Sequence, residues 1–112
     1  VAVTIEQFRK LALALPDCEE GSHHDHPDFR CGGRVFATIH PGGETGMVKV
    51  PPGAQSELVA HDSPFRPANG AWGRAGCTLV DLPQVTQSVL RGAMQEAWQF
   101  AAAMGASKRA KK

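Results

Sequence analysis

Apolar positions recur along the chain with two different periods, and the switches between them divide it into elements. Ile5, Phe8, Leu11, Ala12 and Leu15 fall at helical spacing. Thr4 precedes that run and Gln7 follows it by three positions, the spacing of a capping box, while Pro16 closes it. Short apolar runs then replace the helical period. Asp28-Phe29-Arg30-Cys31 and Arg34-Val35-Phe36-Ala37-Thr38-Ile39 flank Gly32-Gly33, which predicts a two-residue hairpin. Pro41-Gly42-Gly43 and Thr45-Gly46 mark the next turn, ahead of a strand at Met47-Val48-Lys49-Val50. Pro51 and Pro52 open a short helix that reaches about Ala60. The segment from His61 to Gly76, with three glycines and two prolines, reads as irregular. Gly76 to Leu82 is one more strand. From Pro83 the helical period returns: Val85, Val89, Ala93, Ala97, Ala101 and Met104 form a stripe that Leu90, Met94 and Phe100 widen, with Gly105 as its stop.

Strands joined by tight turns must run antiparallel. A meander with a helix at either chain end predicts an α+β, two-layer sandwich in which the helices cover one face of an antiparallel sheet. Strict alternation through the Gly32-Gly33 hairpin puts Phe29, Phe36, Cys31 and Arg34 on one face, and Val35, Ala37 and Ile39 with Asp28 and Arg30 on the other. Neither face is purely polar. The second face is therefore either partly covered or a surface that contacts something.

A length of 112 residues fits one domain, read here as residues 1–107, followed by a short basic and disordered tail at 108–112. With 42% apolar and 21% charged residues the chain is not a disordered polymer, and no apolar run approaches the ~20 residues of a membrane span. Val1-Ala2-Val3-Thr4 does not read as a secretion signal, and three cysteines without a CxxC spacing fit a reducing, cytoplasmic setting. The net charge of +1 is uneven: four of the twelve bases are Lys108, Arg109, Lys111 and Lys112, which leaves eight bases against eleven acids in the body. That tail reads either as a solvated terminus or as a non-specific phosphate contact.

The densest polar cluster runs from Glu19 to Asp28 and holds His23, His24 and His26. Imidazoles beside carboxylates are ligands that zinc, iron or nickel accept, although no established metal spacing is present. In one extended run His24 and His26 would share a side; the alternative is a solvated acidic loop. No nucleophile sits in a catalytic motif and no phosphate-binding glycine loop is present, so neither catalysis nor a cofactor is expected. What remains is a basic and aromatic set: Arg30, Arg34, Lys49, Arg66, Trp72 and Arg74. Trp72-Gly73-Arg74 stands out, because an exposed indole beside a guanidinium can stack on a base and hold a phosphate. The alternative is that Trp72 plugs the end of the sheet with Arg74 over it as a cation–π lid.

Several of these pieces, in their order and spacing, resemble the MmcQ/YjbR family of small bacterial proteins. They are the opening helix from Glu6 through Leu15-Pro16, His26-Pro27-Asp28-Phe29-Arg30, and Gly32-Gly33-Arg34-Val35-Phe36-Ala37. Val48-Lys49-Val50-Pro51-Pro52, Gly70-Ala71-Trp72-Gly73-Arg74 and Thr78-Leu79-Val80-Asp81-Leu82 follow in the same order. The resemblance implies a frataxin-like, double-wing α+β fold and carries a DNA-binding label. A nucleic-acid-binding module would draw on Arg30, Arg34, Lys49, Arg66, Trp72 and Arg74, with Lys108 and Arg109 from the tail. Two other classes stay open: a small-ligand or protein-interaction domain centred on Trp72 and the histidine-rich segment, and a metal-binding protein using His23, His24 and His26 with the flanking acids. No membrane partner is expected, and the chain reads as a monomer or weak homodimer.

Overall fold

Thr4 and Gln7 form the expected capping box. The Gln7 backbone N–H donates to Thr4 Oγ1 at 3.1 Å, and the Thr4 N–H donates to Gln7 Oε1 at 2.9 Å. The helix they start, α1, spans Ile5–Leu13 and buries Phe8 and Ala12. The structure, a computed structural model, describes residues 3–23, 26–40, 42–60 and 63–110, with side chains described outside 22–26 and as far as 103. After α1 come β1 (Cys18–His23), β2 (His26–Cys31), β3 (Arg34–Ile39) and β4 (Thr45–Lys49). Then follow α2 (Pro52–Leu58), β5 (Phe65–Pro67), α3 (Gly70–Arg74), β6 (Cys77–Asp81) and α4 (Gln87–Ala110). The six strands form one antiparallel sheet in the order β1-β2-β3-β4-β6-β5. This is the α+β architecture expected, with helices at both chain ends.

Three elements differ from the sequence reading. The polar segment after α1 is not a loop: Cys18–His23 is an edge strand paired residue for residue with β2. Its charged side chains are tolerated because an edge strand needs only one partner and one covered face. The irregular stretch after α2 contains β5 and α3. Helix α4 runs past Gly105 to Ala110, so that glycine does not stop it.

A bulge in the first hairpin changes which residues share a face. Phe29 pairs with Ala37, but Arg30 pairs with Val35, leaving Phe36 as the extra residue on β3. Phe36 and Ala37 are consecutive and both fully buried. Ala37 and Ile39 therefore join Phe29 on the helix-covered face, where strict alternation had put them opposite it. Phe8 of α1 meets Phe29 at a ring separation of 5.8 Å.

Helix α4 packs across β2, β3 and β4, and α1 packs on β1 and α4. Leu90, Ala93, Met94, Ala97 and Ala101 bury the α4 stripe, and Val85 is buried just before the helix. Val89 was expected in that stripe but is 48% exposed, one residue out of phase with Leu90 and Ala93. Chemical denaturation of the two variants separates the positions. Val89→Ser should change stability by less than about 0.5 kcal/mol, whereas Leu90→Ala should cost about 2–5 kcal/mol. Among the described residues, no helix is long and apolar enough to cross a membrane.

Candidate functional site

The strand register builds a face that α1 and α4 do not cover. Directly opposed residues of an antiparallel sheet share a face. One unbroken row crosses all six strands: Gly21, Asp28, Thr38, Met47, Leu79 and Arg66. A neighbouring row carries Glu19, Arg30 and Val35 on one side and Lys49 with Cys77 on the other. The alternate residues Phe29, Ala37, Val48, Val80 and Phe65 are buried under the helices. The open face is thus partly apolar, with Val35, Met47 and Leu79 half-buried among polar groups.

Helix α3 stands beside this face and makes a cleft of about 290 Å³, lined by His40, Met47, Ala68, Asn69, Trp72, Cys77 and Leu79. Trp72 forms its outer wall and is 72% exposed, so it is not a plug in the core. The Asn69 side chain does not cap α3, although it occupies the N-cap position. Burial pushes the Cys77 thiol upward from its ordinary pKa, opposed by the charge of neighbouring Lys49.

Close backbone approaches hold α3 in place. A Cβ on Gly73 would lie 2.0 Å from the Ala68 carbonyl oxygen, and one on Gly76 would lie 1.9 Å from that of Val50. Gly76 also has a φ of +107°. From α2, the Gln55 carboxamide nitrogen donates to the carbonyls of Gly73 at 3.0 Å and Cys77 at 3.2 Å, and to Thr78 Oγ1 at 3.1 Å. Gln55 is a positioning residue that the sequence reading did not single out, since a lone Gln in a short helix carries no pattern. Gln55→Ala should lower stability by about 1–3 kcal/mol in urea titration, because it strips half-buried acceptors of their donor.

The predicted cations divide between locations. Lys49 and Arg66 lie on the open face, and among the described residues no carboxylate oxygen comes within ion-pair distance of either. Arg30 is on the same face but is held by Asp28, donating from Nε at 3.0 Å and Nη2 at 3.2 Å. Asp28 is 1% exposed, so this pair neutralises a buried carboxylate. Arg34 pairs in register with Cys31, which puts it on the helix side at the hairpin end. Arg74 follows Trp72 by two positions on α3, and residues at that spacing do not face each other. Lys108 and Arg109 fall on the last turns of α4, with side chains outside the described residues, as are Lys111 and Lys112.

The fold rearranges the histidine cluster. His23 and His26 are register partners of antiparallel β1 and β2, so the chain reverses between them and the single extended run does not exist. His24, and the side chains of His23 and His26, lie outside the described residues. Among the described residues, no three His, Cys, Asp or Glu side chains gather as a metal site. His40, further along the open side of the sheet, lines the Trp72 cleft.

The arrangement defines a small α+β domain whose sheet has one helix-covered face and one open face with an aromatic-walled cleft. The family model YjbR matches residues 13–100, and the chain belongs to that family. No curated protein matches the chain.

Proposed function

We propose that the protein is a non-enzymatic binding module for single-stranded nucleic acid, engaged on the open face of the sheet. The observation that carries this reading is the 72% exposed Trp72 indole, standing over a cleft of about 290 Å³ on the same face as Lys49 and Arg66. That volume suits one planar group, stacked on the indole and resting on Met47 and Leu79. Base stacking of this kind contributes about 1–3 kcal/mol per base and is blind to sequence. Lys49 and Arg66, with no carboxylate at ion-pair distance among the described residues, are available to phosphates. Duplex reading is disfavoured, because it calls for a basic element that enters a groove. The described exposed positions of α4 carry one base, Arg91, against one acid, Glu96.

Fluorescence anisotropy with labelled single strands and matched duplexes, over a salt series, tests the reading. The full chain is compared with a variant whose Lys108, Arg109, Lys111 and Lys112 are all replaced by Gln. Single-strand binding should survive the loss of tail charge. Two phosphate contacts predict a slope of about −1.4 in log K against log salt. Lys49→Gln should flatten that slope by about 0.7. Equal binding to duplexes, or loss of all binding with the tail charges, would overturn the proposal. Among the described residues the cleft walls carry no carboxylate, lysine or arginine, which favours as a second reading a neutral planar small molecule. A free nucleoside that binds as tightly as an oligonucleotide would select it.

A further inference from the structure

We propose that Cys18 and Cys31 form a cross-strand dithiol that low-molecular-weight disulfides, of the oxidised-glutathione class, close to an intramolecular disulfide. The two cysteines are register partners on β1 and β2, and both are free thiols. Opposed residues of an antiparallel pair have Cα atoms about 4.5–5.5 Å apart, within the roughly 4.4–6.8 Å that a disulfide spans. The register alone thus sets the two residues at a spacing compatible with a disulfide.

The third cysteine does not compete. Cys77 lies on β6, three strand positions from β2, or about 14 Å. It is also on the open face, whereas Cys31 belongs to the helix-covered core. Access is through Cys18, which is half-buried where Cys31 is 5% exposed. Cys18 Sγ donates to the Pro16 carbonyl at 3.4 Å, and Trp98 Nε1 of α4 donates to the same oxygen at 2.9 Å. An indole therefore sits beside the dithiol. Burial, with Cys31 next in effect, pushes the Cys18 thiol up to about 11, so its thiolate is scarce at neutral pH and the reaction is slow there.

The exchange balances in two steps. A protein thiolate attacks the external disulfide, forming a mixed disulfide and releasing one small thiolate that takes up a proton. The second protein thiol loses its proton and attacks the protein sulfur of that mixed disulfide, releasing the second small thiol. Two protein thiols are oxidised to one S–S bond, and one external disulfide is reduced to two thiols. The product ties the edge strand to its only neighbour, next to the Glu19–Arg30 register pair of the open face.

The test incubates the full chain with oxidised glutathione at mildly alkaline pH, followed by acid quench, alkylation and mass spectrometry. The expected product has lost two hydrogens, keeps Cys77 alkylated, and yields a peptide linking Cys18 to Cys31. Its melting temperature should rise by about 10 °C, since the bond closes a short loop in the unfolded chain. Cys18→Ser should give no such product and no rise, and Cys77→Ser should leave both unchanged. In Trp72→Phe, where Trp98 is the only indole, closure should quench fluorescence. Three alkylated thiols after full oxidation of a dithiothreitol control, a link through Cys77, or stable glutathione adducts without ring closure would each overturn the proposal.

Discussion

Trp72→Ala is expected to weaken single-strand binding by about 5- to 150-fold while changing stability by less than about 0.5 kcal/mol. Both halves follow from one number, the 72% exposure of the side chain. An indole with so little protein contact contributes little to folding, and its face remains available to a ligand. The measurement is paired: anisotropy titration for binding, and urea denaturation for stability. Arg74→Gln serves as comparison. It should act as a screened surface charge with less than a threefold effect, because Arg74 is turned away from the indole along α3. If Trp72→Ala binds like the parent chain, the cleft is not the nucleic-acid site.

Gly76→Ala should destabilise the fold by about 3 kcal/mol or more, a large effect for a single methyl group. A left-handed φ costs a residue with a Cβ about 1–3 kcal/mol, and forced overpacking costs a similar amount. At Gly76 both apply: φ is +107°, and the new carbon would meet the Val50 carbonyl oxygen at 1.9 Å. That obstacle is backbone, which cannot rotate aside. The Val50 N–H also donates to the Gly76 carbonyl at 3.0 Å, so a shift at Gly76 strains the β4–α2 junction as well. Gly53→Ala is the contrasting control, since Gly53 lies in α2 with nothing within 4 Å of its added carbon. It should stabilise by up to about 1 kcal/mol. Because Gly76 follows the C-cap of α3 and its N–H donates to the Gly73 carbonyl at 3.0 Å, Gly76→Ala should also displace Trp72 and reduce binding in whatever protein remains folded.

Much of the architecture was legible in local pattern. The capping box at Thr4 and Gln7, the Gly32-Gly33 hairpin, the Pro51-Pro52 helix start and the Leu90–Ala101 stripe each depend on residues within a few positions of one another. Where the reading missed, the deciding contact was distant. The segment Cys18–His23 has no apolar alternation and becomes a strand only because β2 offers it a partner. Residues Phe65–Pro67 look irregular until β6 pairs with them, and Gly70–Arg74 until Gln55 of α2 bonds to the Gly73 carbonyl. Phe36 and Ala37 break strict alternation because a bulge lets consecutive side chains enter one core.

The same division runs through the candidate site. Trp72, Lys49, Arg66 and Arg30 could be named from residue type and context alone, and so could the mixed polarity of the second sheet face. The sequence by itself determined the family, the α+β class and the chemical vocabulary of the surface, because each of these resides in composition and short-range spacing. Only the tertiary structure decided which words stand together. Strand order and register gathered Met47, Leu79, Arg66 and Lys49 onto one face, folded Arg30 back on Asp28, sent Arg34 to the other side and set Cys18 against Cys31. Those outcomes depend on parity summed across six strands and one bulge, and a single-residue slip in any strand would have reversed them.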